Sequence, residues 1–251
     1  MDDILGYTLP PLAVKNAVET ALRIDNELNQ SFPDLFMRNF RCPSEQLVIC
    51  GARALDTYYE LGKDFSEKKV IILKTLLRKH GLHLELWPDE PRQKNVEKYY
   101  TLINLGALHR MPKDYQTLPE WHDWDVTGSF YVWFDAWRKR IATHYSPLIM
   151  PRASKKICEQ IAHDIAFGAL LGYPGKAITA VALNQNMYDA KDTYTDVKIA
   201  HMKDFNGAWV SYSINRAHLD DPQIASHRAY WSNILNALYA NPIFTDVRFR
   251  R

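Results

Sequence analysis

Between Ile161 and Leu171 the chain offers only two strongly polar side chains, His163 and Asp164. A helix that is apolar around most of its circumference must be covered on nearly every side. Gly172-Tyr173-Pro174-Gly175 ends that helix sharply. The rest of the chain must therefore supply enough amphipathic elements to enclose it.

Those elements are legible from periodicity. Residues 12–29 carry Val14, Val18, Ala21, Leu22 and Leu28 at helical spacing after Pro10-Pro11. Residues 44–61 carry Leu47, Gly51, Ala54, Tyr58 and Leu61 on one stripe, which predicts a second helix closed by Gly62. Asp64 and Glu67 have capping-box spacing, so a third helix is expected through His80, with Val70, Leu73 and Leu77 inward and Gly81 as its stop. Pro91 followed by Val96, Tyr99, Tyr100 and Ile103 predicts a fourth, closed by Gly106. Phe130, Trp133, Phe134, Trp137 and Ile141 form an aromatic stripe that reads as core rather than as a cofactor box. The apolar helix runs from Ser154 to Leu171, a short apolar segment follows over 177–183, and the last helix spans Pro222 to Ala240 behind an Asp221 cap.

Strands are fewer. Leu82, Leu84 and Leu86 alternate with His83, Glu85 and Trp87, and residues 208–214 alternate again. Residues 244–249 supply a third candidate, while 184–206 read as a polar, loop-rich stretch. The expectation is a single α+β domain over residues 1–251, predominantly helical with about seven helices and a small sheet of two to three strands. Residues 110–128 have no period and two prolines, and mark a long loop or an internal boundary.

Composition narrows the function classes. A net charge of +2 is too small to advertise nucleic acid or membrane as partner, and Arg248, Arg250 and Arg251 read as a solvated tail. Cys42, Cys50 and Cys158 include no CxxC pair, which argues for free thiols and against a zinc site. The acidic start, Met1-Asp2-Asp3, lacks the features of a signal peptide, and a cytoplasmic location is expected.

Three constellations carry potential chemistry. Glu159 and His163 are four apart and share a helix face, with Asp164 adjacent. A carboxylate beside an imidazole raises its pKa and fixes its tautomer, as general-base catalysis requires. One helical segment later comes the turn of Gly172, Tyr173, Gly175 and Lys176, where Gly175 and Lys176 lead a short helix whose free N–H groups favour an anion. The competing reading is that His163 and Asp164 satisfy buried backbone groups and that the turn is only a turn. The phosphate-loop pattern is incomplete, because Leu170 stands at its first glycine and Ala177 at its Ser/Thr.

The second constellation is His218, Asp220, Asp221 and His227, near which a metal is conceivable, although the spacing matches no metal motif and Asp221-Pro222 is an ordinary cap. The third is Trp121-His122-Asp123-Trp124-Asp125, a lid or a loop pinned to the core. G-x-S-x-G, HExxH and G-x-G-x-x-G are all missing from the sequence. Two functions follow. One is an enzyme or binding protein for a polar metabolite, an anionic one if the turn takes part, acting through Glu159, His163 and Asp164. The other is a helical protein–protein interaction subunit without catalysis. No cofactor, metal or oligomeric state is specified.

Overall fold

The computed structural model describes residues 9–36, 40–60, 65–86, 99–111, 130–149, 154–179, 181–182, 194–199 and 210–245. Among them are ten α-helical segments and five strands, an α+β protein in which helix dominates. The described residues group into two units by proximity. One comprises those within Pro11–Leu108, Ile199–Val210 and Ala229–Arg251, and the other those within Met1–Pro10, His109–Lys198 and Ser211–Arg228.

The first unit is built on a three-stranded antiparallel sheet in the order β1-β3-β2, from β1 (Leu55–Glu60), β2 (Leu82–Leu86) and β3 (Tyr99–Asn104). Register is set by Leu55 opposite Ile103 and by Leu82, Leu84 and Leu86 opposite Asn104, Leu102 and Tyr100. Leu82 and Leu84 are fully buried while His83 and Glu85 are half-buried, so the alternation over 82–86 sets the core face as expected. Around the sheet lie α1 (Val14–Ser31), α2 (Pro33–Leu35), α3 (Pro43–Ile49), α4 (Glu67–Lys79) and α5 (Leu105–His109). α3 packs on β1 and β3, and α4 packs on β2.

Two expected helices are corrected here. The stripe over 44–61 divides into α3 and β1, because Gly51 takes a positive φ of 80° and ends α3 instead of serving as one of its core positions. Arg53 N–H then donates to Leu47 O at 2.9 Å, closing the helix end. The expected fourth helix is the strand β3. As the central strand it is buried from Tyr100 to Asn104, so the period-two alternation that marks a half-exposed strand is absent. Gly106 falls inside α5. α4 begins at a Ser66 cap, whose Oγ accepts from Lys69 N–H at 3.4 Å, and ends before Gly81 at φ 70°. Gly62, Asp64, Pro91 and Val96 lie outside the described residues.

The other unit centres on α6 (Phe130–Ile149) packed against α7 (Lys155–Leu170), followed by α8 (Gly175–Thr179). Phe130, Trp133, Trp137 and Ile141 are buried, so the aromatic stripe is core. α7 is capped by Ser154 Oγ, which accepts from Ile157 N–H at 3.4 Å, and it buries Ile161, Ala162, Ile165, Ala166 and Gly168 to Leu170. A second sheet pairs β4 (Tyr194–Ile199) with β5 (Val210–Asn215). β4 lies in the stretch read as loop-rich, and β5 pairs with it rather than joining the sheet of residues 82–86. Of the proposed 244–249 strand, Phe244 and Thr245 belong to the helix α10 (Pro242–Thr245), and 246–249 lie outside the described residues.

The division between units falls inside α9 (Pro222–Tyr239), after Arg228. All but Arg110 and Met111 of the 110–128 segment, including Trp121 to Asp125, lie outside the described residues. No helix among the described residues is long and apolar enough to cross a membrane.

Candidate functional site

His163 is half-buried on α7, with its ring stacked on Phe167 at 5.7 Å and 10° and edge-on to Phe134 at 5.6 Å and 83°. Burial between these rings lowers its pKa, and the lowering outweighs the opposite pull of Asp164, with Arg138 adding to it. The expectation that a neighbouring carboxylate would raise the imidazole pKa is therefore reversed by desolvation. Glu159 is exposed, and Asp164 accepts a 2.9 Å hydrogen bond from Gln160 Nε2.

The Gly172–Lys176 turn makes its polar contacts elsewhere. Gly172, at φ 71°, closes α7, with Tyr173 N–H donating to Gly168 O at 3.0 Å. Gly172 O lies 2.8 Å from His227 Nε2, which donates as the N–H tautomer. Tyr173 packs on Tyr212 at 5.4 Å, and Tyr212 stands edge-on to His227 at 5.3 Å. Lys176 Nζ is ion-paired to Asp221 Oδ2, whose other oxygen accepts from Gln223 N–H at 2.9 Å as the cap of α9. Gly175 is buried at the start of five-residue α8. The structure thus joins part of the first constellation to part of the second. The cation expected to meet an anion is already matched by a carboxylate. His218 and Asp220 are exposed, and no group of three metal-ligating side chains occurs among the described residues.

The densest set of perturbed ionisable groups lies in the other unit, around the start of α3. Pro43 opens the helix and places Ser44 and Glu45 in its first turn. Ser44 Oγ donates to Glu45 Oε2 at 2.8 Å. Burial and the charge of Asp56 push the Glu45 carboxyl up to about 7, against the opposing pull of Ser44, its own backbone N–H and Arg53. Asp56, on β1, retains 14% side-chain exposure and faces the buried Arg53, with Arg53 Nη1 3.8 Å from Asp56 Oδ1. Arg53 also stands over the Trp231 ring at 5.6 Å, which holds the guanidinium by cation–π attraction. Cys42, just before α3, has its thiol pushed up to about 12 by burial, Glu45 and Asp56. A thiol in that state is protonated and a poor nucleophile.

Behind this pair sits a fully buried layer. Gln46 Nε2 donates to Asp25 Oδ1 at 2.9 Å and to Phe40 O at 2.6 Å. Both amide hydrogens are thereby used, which fixes the orientation of the amide. Asp25 Oδ2 and Gln46 Oε1 are buried and have no partner among the described residues. Burial pushes the Asp25 carboxyl up to about 8, the Gln46 hydrogen bond opposing. Tyr239 donates its hydroxyl to Arg41 O at 2.6 Å, and burial followed by Cys42, Glu45 and Asp25 holds its pKa well above the ordinary value.

Apart from Cys42, expected only as a free thiol, none of these residues is marked by the sequence reading, yet one signal is available. Asp25 lies between Ala21, Ile24 and Leu28 on the buried stripe of α1, where a carboxyl is costly. The Glu45–Asp56 pairing depends on a strand where a helix was expected. Compared with protein-family models, curated proteins and solved structures, the chain matches none.

Proposed function

We propose that this protein binds a polar metabolite at the Glu45–Asp56 edge of the first unit and acts on it by proton transfer, with Glu45 as general acid or base. One observation carries the reading: a largely buried carboxyl that burial and the charge of Asp56 push up to about 7, beside a second carboxylate ion-paired to a buried arginine. A group with its pKa near neutrality is present in both protonation states at pH 7, which is what general acid–base catalysis requires. Arg53 fixes Asp56, and Trp231 fixes Arg53, so the pair is held by groups already committed to the core. Nothing in the Gly172–Lys176 turn supports an anionic ligand there, because Lys176 pairs with Asp221. The proposed substrate is polar, with its reacting proton within reach of Glu45.

The test is a thermal-shift screen of a polar-metabolite library against the wild type and Glu45→Gln. The glutamine amide keeps an acceptor for Ser44 and removes only the titrating group, so the variant should fold. Metabolites that stabilise the wild type should lose their effect on the variant, with pH 6 and pH 8 giving different wild-type affinities. Identical ligand profiles for the two proteins would overturn the proposal.

A further inference from the structure

α4 has one face that remains largely exposed among the described residues. Leu73 and Leu77 are fully buried against the sheet, whereas Ile71 and Ile72 are 65% and 48% exposed. They are adjacent, and only Val132 and Leu219 are comparably exposed among the other large apolar residues described. Single exposed apolar residues are ordinary. Two neighbouring β-branched residues on an exposed helix are less so, since each leaves about half or more of its surface to solvent and is a weaker helix former than the Lys, Glu or Ala that normally fill such positions.

Their surroundings are strongly charged. α4 carries Lys68, Lys69, Lys74, Arg78 and Lys79 against a single acid, Glu67, a net charge of +4 in 13 residues. At 100° per residue, Lys68, Ile72, Thr75 and Lys79 form one exposed row, with Ile71 and Arg78 alongside. Some of this charge is used internally: Lys79 Nζ pairs with Glu27 at 2.9 Å, Lys69 stands over Phe65 and Lys74 over Tyr100. Lys68 and Arg78 have no anionic partner among the described residues.

An apolar centre with a basic rim matches the general anatomy of a protein interface, and the sign of the rim selects the partner. A second copy presenting the same helix would set Lys68 and Arg78 against like charges and be repelled. A bilayer surface is met by helices with a broad apolar face that includes Trp, Phe or Leu, whereas this face offers two isoleucines. We infer that the outer face of α4 docks an acidic protein segment bearing apolar side chains, with Ile71 and Ile72 as the apolar contact and Lys68 and Arg78 as the steering charge. The site is separate from the Glu45 pair, so either reading stands if the other fails.

The probe is a fluorescein-labelled synthetic peptide of about 18 residues, long enough to form a helix on binding, with Leu at helical spacing among Glu. Binding is read by fluorescence anisotropy to wild type, Ile71→Ser/Ile72→Ser, Lys68→Glu/Arg78→Glu, and the control Lys155→Glu/Lys156→Glu on α7. Both α4 variants should lose at least about tenfold in affinity, and the α7 control should lose little, because interface hot spots are local. A peptide with every Leu changed to Ser should bind the wild type at least about tenfold more weakly. The inference is overturned if the wild type does not bind the peptide, if the serine peptide binds equally, or if the α7 control loses as much as the α4 variants. Binding to phosphatidylserine vesicles that depends on Ile71 and Ile72 would also overturn it by assigning the face to lipid.

Discussion

Asp25 has the most calculable consequence. Its carboxyl is completely buried, accepts one hydrogen bond through Oδ1, and leaves Oδ2 and the Gln46 carbonyl oxygen as two acceptors without a donor among the described residues. Both amide hydrogens of Gln46 are committed, so a proton on Asp25 is the simplest way to supply one. The folded pKa of about 8 lies above the ordinary 3.8, so the folded chain binds more protons than the unfolded chain across that interval. Stability is therefore fully present below about pH 4 as far as this group is concerned, and declines as pH rises towards 8. At about 1.4 kcal/mol per pH unit, the full displacement corresponds to a loss on the order of 5 kcal/mol above pH 8. Relaxation around the ionised group makes that figure a ceiling.

Asp25→Asn removes the titration while keeping the shape and supplying an N–H donor. Urea unfolding followed by far-ultraviolet circular dichroism, from pH 5 to pH 9, should show the variant gaining on the wild type as pH rises. Contributions from other carboxyls, Glu45 included, cancel in the difference. Parallel curves for the two proteins across that range would refute the buried-acid account.

Other consequences are separate. His163, held neutral by burial between aromatic rings, should titrate below 6.5 by NMR, and His163→Ala should cost about 1–2 kcal/mol through lost ring packing; a midpoint above 6.5 would show that Asp164 dominates after all. Cys42 should alkylate with iodoacetamide at pH 8 far more slowly in the native protein than in urea, as read by mass spectrometry of its peptide, because its thiol is pushed up to about 12. Equal rates would contradict its burial. Leu84→Asp should destabilise by more than about 3 kcal/mol, while Glu85→Lys, which loses a 3.3 Å partner in His83, should cost about 1 kcal/mol; the reverse ranking in thermal unfolding would invert the assigned face. Gly168→Leu should also destabilise α7 packing, since a Cβ there already meets Ile178 Cγ1 at 3.0 Å, and an unchanged unfolding midpoint would refute that close approach.

The elements that were legible in the sequence share a cause. α1, α4, α6, α7 and α9 each bury one stripe and carry recognisable ends, such as Gly81, Gly172 and the Asp221 cap. β2 was legible because one of its faces holds Leu82 and Leu84 while the other holds polar residues. β1 and β3 were not. β3 is buried on both faces, and β1 follows a helix whose glycine stop coincides with a helical repeat position. The site inherits this difference. His163 and Lys176 stand out locally as polar groups in apolar sequence, but their contacts are with Phe134 and Phe167 and with Asp221. Asp25 already stands on the apolar stripe of α1, but Glu45, Arg53 and Asp56 read locally as ordinary surface charges on a helix. They become unusual only when α3 ends at Ile49 and the chain turns into β1, a long-range outcome that no local spacing encodes.

Titration of the Glu45 carboxyl itself reaches the proposed chemistry without knowledge of any substrate. Carbon-13 NMR of the side-chain carboxyl signals, assigned by the resonance lost in Glu45→Gln, reports the midpoint. A value near 7 is expected, where burial and the Asp56 charge outweigh Ser44 and Arg53. A midpoint at or below the ordinary 4.5 would leave Glu45 a carboxylate ionised throughout at neutral pH and remove the chemical basis of the proposed function.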